Sequence, residues 1–195
     1  MKRLVVAITG ASGSIYAVRF LQRAVEHFEE VLLTASDQAL QVLSTETDLK
    51  ATREDLTKVL GIEQKARLLD ERDYFTPPAS GSYRHDGMVI VPCSMGTLGR
   101  VANGISNDLT TRAADVCLKE GRKLIMVVRE MPYNLVMMRN MVAVAEAGAT
   151  VLPASPAWYY RPQSFEELAD TVVARILQNL GIEQTIVPEW ASEQD

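Results

Sequence analysis

Five short apolar runs, separated by longer segments of helical period, set the strongest limit on how this chain can fold. Leu4–Ile8, Val31–Thr34, Met88–Val91, Leu124–Val128 and Thr150–Leu152 are too short for helices, and they are apolar at almost every position rather than at alternate ones. Strands buried on both faces read this way, so the runs predict a parallel sheet with helices on each side. Between them Tyr16, Phe20 and Ala24 form one helical stripe, and Val136, Met137, Met141, Val144 and Ala145 form another. Phe165, Leu168, Val172, Val173, Ile176 and Leu180 recur at spacings of three and four, which predicts a long last helix capped by Ser164.

Between Thr47 and Tyr83 the pattern weakens. The charges there suggest a short exposed helix near Arg53–Leu60, and the stretch from Pro77 to Ser82 is expected to be a loop. With 195 residues and 47% hydrophobic residues the chain closes one core. One domain, residues 1–186, is expected, followed by a tail over 187–195. That tail holds a lone Trp190 among polar residues, a pattern that marks contact with another chain.

Several classes are set aside. A formal charge of −5, with Lys and Arg scattered singly, gives no basic stripe to track nucleic acid. The apolar run after Met1-Lys2-Arg3 stops at Thr9-Gly10, too soon for an export signal, and no run is long enough for a membrane span. Cys93 and Cys117 make neither a disulfide framework nor a zinc site, and two histidines, His27 and His85, make a His-rich metal site improbable. A cytoplasmic protein without metal is expected.

In open parallel sheets ligands bind beyond the carboxyl ends of the strands, where loops feed helix N-termini. Five such places exist here: Thr9 to Ser14, Ser36, Pro92 to Thr97, Arg129-Glu130, and Ser155 to Arg161. Gly10-x-x-Gly13 lacks the dinucleotide spacing, so a mononucleotide phosphate fits the first loop better than NAD, although a tight turn would use the same glycines. Ser94 and Thr97 offer hydroxyl donors at a second helix start, or a simple N-cap. Cys93 reads as a small buried thiol before a nucleophile. Arg112, Asp115 and Lys119 share one helix face, which is either a solvated salt-bridged face or a binding face. Glu46 ends a helix, where the dipole disfavours a carboxylate; this hints at function and is also ordinary.

Taken in order, Thr9-Gly10-Ala11-Ser12-Gly13, Thr45-Glu46-Thr47-Asp48, Pro78 to Ser82, Pro92-Cys93-Ser94, Thr111 to Val116, Leu118-Lys119-Glu120, Val128-Arg129-Glu130, Tyr159 to Ser164 and Val173-Ala174-Arg175 resemble the flavin prenyltransferase (UbiX) family. The resemblance runs from Leu4 to Trp190. It implies a Rossmann-like (flavodoxin-like) three-layer sandwich with a mostly parallel sheet. It further implies FMN held by Gly10, Ala11, Ser12, Ser36, Ser94, Met95, Gly96, Thr97 and Arg129, and dimethylallyl phosphate held by Lys119, Arg129, Tyr159 and Arg175, with Trp190 from a neighbouring chain beside it. Ser12, Glu46, Lys119 and Glu130 are the catalytic candidates. The implied reaction joins a dimethylallyl group to N5 and C6 of reduced FMN without a metal, at a site between subunits of a homo-oligomer, usually a dodecamer. Its product would serve UbiD-type decarboxylases, in ubiquinone synthesis among other roles. A cysteine-type FMN-dependent decarboxylase and a non-catalytic FMN carrier are the alternatives. The first carries Pro-Ala-Ser-Ala-Asn-Thr at the position of Pro92 to Thr97 and uses a histidine.

Overall fold

The structure is a computed structural model that describes residues 2–188. Six strands, β1 (Arg3–Ile8), β2 (Glu30–Ala35), β3 (Ala66–Leu68), β4 (Met88–Cys93), β5 (Leu124–Val128) and β6 (Thr150–Pro153), form one sheet in the order β3-β2-β1-β4-β5-β6. Every neighbouring pair is parallel. The helices are α1 (Ser14–His27), α2 (Asp37–Glu46), α3 (Leu56–Val59), α4 (Met95–Ala102), α5 (Leu109–Lys119), α6 (Leu135–Glu146) and α7 (Phe165–Leu180).

Apolar residues at consecutive strand positions serve two cores. Leu4, Val6 and Ile8 of β1 pack with α1, α2, α3 and α7 on one face. Val5 and Ala7 turn to the other face, against α4, α5 and α6. The result is the expected three-layer α/β sandwich, with a wholly parallel sheet. On α1 the residues Ala17, Phe20, Leu21 and Ala24 are buried at helical spacing. Phe20 is fully buried, so Phe20→Ala is expected to cost about 3–5 kcal/mol. Ser164 caps α7 as its sequence predicts, accepting the Glu167 N–H at 3.1 Å. Across α1 and α7 the part-buried Arg19 and the buried Asp170 form an ion pair.

Four differences from the sequence expectation matter. Ala66–Leu68 adds an edge strand that three residues were too few to announce. The expected loop at Pro77 opens with one 3₁₀ turn over Pro77–Ala79, and the expected helix near Arg53–Leu60 is the single turn Leu56–Val59. The apolar stripe of α6 is divided: Val144 is buried and Met137 and Met141 pack against the core, while Val136, with Leu135 and Val142 beside the stripe, is exposed. Periodicity reports an apolar face and not what covers it, and its exposed part is left for another surface.

Candidate functional site

The chain builds outward from β1 in one direction and then returns to place β4 on its other side, so β1 and β4 form the topological switch point. Their following loops diverge to helices on opposite faces, opening a cavity of about 350 Å³. Its lining comprises Thr9, Gly10, Ser36, Gln38, Ser94 and Thr97 from the strand ends and helix starts, together with Glu71, Arg72, Arg100, Asn107, Asp108 and Thr110. The sequence singled out Gly10, Ser36, Ser94 and Thr97. It missed the others: Glu71, Arg72, Asn107 and Asp108 come from segments between elements, and Arg100 and Thr110 sit within α4 and α5, where nothing local marks them; the one available signal was the capping pair Asp108 and Thr111.

Thr9 fastens the two loops together. Its buried hydroxyl donates to the Pro92 carbonyl at 2.7 Å and accepts the Ser94 N–H at 2.8 Å. Gly10 is needed because a Cβ there would lie 2.6 Å from Gln38 Cβ, and Gly13 because its φ of 106° strains other residues. Ser36 and Ser94 are indeed N-caps, accepting the Ala39 N–H at 3.1 Å and the Thr97 N–H at 3.2 Å. Both also face the cavity, so the capping and binding readings coexist. The Met95 side chain is buried in the core, and Ala11 is buried with its N–H donated to the Thr9 carbonyl at 2.8 Å, so neither lines the cavity.

Glu46 departs most from expectation. At the end of α2 it reaches the start of α1, where Oε2 accepts the Gly13 N–H at 2.9 Å and the Ser14 N–H at 2.8 Å. Helix α1 has no side-chain cap of its own and no acid in its first turn, so Glu46 supplies the anion that its dipole favours. Partial burial pulls the carboxyl pKa upward, but hydrogen bonds from the Ser12 hydroxyl and from Ser14 and Gly13 outweigh it and hold the group below its usual value. The first loop therefore seats a carboxylate at the α1 N-terminus, and the free hydroxyl-lined helix starts are those of α2 and α4. Arg129 crosses to this loop from β5, its Nε donating to the Ser12 carbonyl at 2.9 Å. Beside it, Glu130 accepts the Met131 N–H at 3.1 Å. Ser12 follows β1, Arg129 and Glu130 follow β5 and Glu46 ends α2, with Ser12, Glu46 and Arg129 joined by contacts.

Other candidates are not brought there within one chain. Lys119 ends α5, an 11-residue helix roughly 16 Å long that runs from the cavity back toward the start of β5. It pairs with Glu120 and lies against Gly81, at the amino edge of the sheet. Arg112 makes the expected ion pair with Asp115 at 3.0 Å and donates to the Ala79 carbonyl, tying down the same loop. Arg175 lines a separate hollow of about 320 Å³ along the open edge of β6 with Ser155. Tyr159 is exposed and donates to the Tyr160 hydroxyl at 3.1 Å. Trp190 lies outside the described residues.

Burial pushes the Cys93 thiol up to about 12, which excludes a thiolate nucleophile at neutral pH. His85, within two residues of the Gly87 carbonyl that it contacts, and His27, at the end of α1, both sit at the amino edge, away from the cavity. Among the described residues no cluster of His, Cys, Asp and Glu could hold a metal, and no helix is long and apolar enough to cross a membrane.

Comparison with known proteins agrees with this geometry. A family description for flavoproteins matches residues 1–186. The flavin prenyltransferase UbiX of Pseudomonas aeruginosa is 44% identical over 199 residues, covering 98% of this chain and 95% of its own. The crystal structure of AnUbiX (PadA1) in complex with FMN and dimethylallyl pyrophosphate superimposes with a TM-score of 0.89 at 35% identity, covering 99% of both chains. A dodecameric FMN-dependent UbiX-like decarboxylase from Escherichia coli O157:H7 gives 0.87 at 35% identity, over 97% of this chain and 100% of that one. The chain belongs to the flavoprotein family and, within it, to the flavin prenyltransferases of the UbiX type.

Proposed function

We propose that this protein transfers a dimethylallyl group from dimethylallyl phosphate to N5 and C6 of reduced FMN, and that it does so at a site completed by neighbouring copies of itself. The observation that carries the reading is the pairing of a full-length family match with the Glu46, Ser12 and Arg129 cluster beside the switch-point cavity. The fit of FMN rests on that cavity: two capped helix starts offer hydroxyls and unpaired N–H groups, as a phosphate monoester requires. Reduced FMN, as acceptor, supplies the nucleophilic atoms.

The chain's own residues then have distinct tasks. Cleavage of the allylic C–O bond sends its electron pair to phosphate, and Lys119, Arg129, Arg175 and the Tyr159 hydroxyl are suited to stabilise that charge. Two ring positions each give up a proton as their bonds form. Spending the allyl double bond returns one proton to its middle carbon, and the other leaves with phosphate. In this reading Glu46 and Glu130 handle these transfers. Glu46, held ionised at neutral pH, suits the accepting role.

Because Lys119, Arg175 and Glu46 occupy three separate parts of one chain, the reading needs another copy. The exposed apolar residues of α6, Leu135, Val136, Met138 and Val142, with Met131 in the loop before it, supply a surface for it. A dodecamer is the form proposed. Residues 1–186 act as the flavoprotein domain, with residues 187–195 as its tail, and the product passes to a UbiD-type decarboxylase in the cytoplasm. The cysteine-decarboxylase alternative loses support from the placement of both histidines at the opposite edge of the sheet. Incubation of the protein with dimethylallyl phosphate and reduced FMN under anaerobic conditions tests the proposal: the flavin should gain one prenyl unit by mass, and its recovery unchanged would refute it.

A further inference from the structure

Helix α7 carries Glu167, Thr171 and Arg175 at four-residue spacing, so the three form one stripe along it. The first two hold the segment that follows β6. Thr171 is buried, and its hydroxyl donates to the Leu168 carbonyl at 2.7 Å, which leaves its oxygen to accept the Ala157 N–H at 3.0 Å. Glu167 accepts the Gln163 N–H at 2.7 Å. Between these anchors the Arg161 N–H donates to the Trp158 carbonyl at 3.0 Å, closing a turn whose middle residues are Tyr159 and Tyr160. Tyr159 is 57% exposed, so its position follows from how the turn is anchored rather than from packing. Arg175 lies one helical turn beyond Thr171, roughly 6 Å along the axis. It lines a hollow with Ser155, at the root of the same segment. Its charge also acts through space on the Tyr160 hydroxyl, although the contact with Tyr159 is the larger influence there.

We propose that Thr171 is a positioning residue for prenyl transfer: its buried hydroxyl holds the Tyr159 turn in register with Arg175, so that both reach the phosphate of one donor. The inference rests on the prenyl-transfer reading above and adds to it a residue that touches neither flavin nor donor. The hydroxyl matters here rather than the volume, since a Val would fill the same space and leave the Ala157 N–H without its acceptor. The anchor lies two residues before Tyr159, at the end of the turn that Glu167 does not hold, so its loss frees that end. Misplacing a positioned group by on the order of 1 Å costs up to about 10²-fold in rate.

Anaerobic prenyl transfer at saturating reduced FMN and varied dimethylallyl phosphate tests this. Thr171→Val should lower kcat/KM for the donor about tenfold and move the FMN dissociation constant by less than about twofold. Thr171→Ser, which keeps the hydroxyl, should return kcat/KM to within about twofold of the parent. Coupling to Tyr159 is the decisive readout. Tyr159→Phe should cost about tenfold in the parent background, the loss of one charge-assisted contact, and less than about threefold beside Thr171→Val, because a hydroxyl already displaced has little left to lose. Equal costs in both backgrounds would assign Thr171 to stability alone and overturn the proposal. So would a Thr171→Val protein that unfolds more easily and keeps the parent kcat/KM. Thr171→Ala, with the better helix former, carries the same test if the Val variant does not fold. A parent protein that makes no prenylated flavin refutes the underlying reading and the proposal with it, an outcome told apart by the absence of product in every variant.

Discussion

Replacing Glu46 by Gln separates the structural duty of this side chain from its chemical one. The carboxylate receives the Gly13 and Ser14 N–H groups at 2.9 and 2.8 Å, and the second oxygen lies 3.1 Å from the Gly13 N–H. A Gln offers one acceptor oxygen and turns an amide N–H₂ toward donors. One hydrogen bond is lost, worth about 0.5–1.5 kcal/mol, together with a charge at a helix start worth about 0.3–1 kcal/mol. Because the group is exposed at one side, the sum is set at about 1–2 kcal/mol. The folded-state pKa lies below the usual 4.5, so this contribution is fully present above that value and disappears as the pH falls through the folded-state pKa. Urea unfolding at fixed protomer concentration, without flavin, should therefore show the variant less stable near neutral pH and the gap closing in acid. Equal stability at neutral pH, or a gap that persists in acid, would refute the capping argument. Catalysis provides the second readout: FMN should still bind while turnover falls by about 10²–10⁴-fold or flavin bearing the prenyl group by one bond, at N5, accumulates, which absorbance tells from the isomeric finished product. If Glu46→Gln forms the finished product at the parent rate, the proton travels through Glu130 or the released phosphate, and Glu130→Gln then shows the larger loss.

Thr9→Val leaves the part-buried Ser94 N–H without its acceptor, so stability should fall by about 1–2 kcal/mol, with weaker FMN binding as the two loops part; thermal unfolding and flavin titration check both. Arg175→Ala should lower turnover at limiting donor by about one to two orders of magnitude and leave FMN affinity unchanged, which steady-state kinetics and titration separate. With its thiol near 12 and fully buried, Cys93 should resist alkylation by iodoacetamide in the folded protein at mildly alkaline pH; modification at the rate of a free thiol would contradict the burial.

The sheet was legible because strands buried on both faces leave unbroken apolar runs, and Leu4–Ile8 and Leu124–Val128 fall within one residue of the observed strands. Ala66–Leu68 was not, since three residues at an edge, Ala-Arg-Leu, carry no such run. At the site, Gly10, Ser36 and Ser94 were visible because a strand end followed by a small or hydroxyl residue constrains a loop locally. Thr9 and Arg72 escaped notice for a different reason: the partners of Thr9 are Pro92 and Ser94, more than eighty residues away, and Arg72 faces the cavity from a loop without periodicity. Glu46 was recognised as odd at a helix C-terminus. Its reason, the start of another helix thirty-two residues upstream, is a tertiary contact that spacing cannot report.

The central claim is that prenyl transfer takes place at a site assembled from different copies of the chain, with Glu46 contributed by one and Lys119 by another. Subunit complementation tests it most directly. Glu46→Gln and Lys119→Ala proteins are each prepared alone and as mixed oligomers formed by joint expression, and prenylated flavin is measured under anaerobic conditions. Mixed oligomers should recover activity well above that of either variant, because some sites then receive an intact Glu46 from one chain and an intact Lys119 from its neighbour. If the mixture never exceeds the average of the two variants while the parent protein is active in the same assay, both residues act within a single chain and the composite site is wrong.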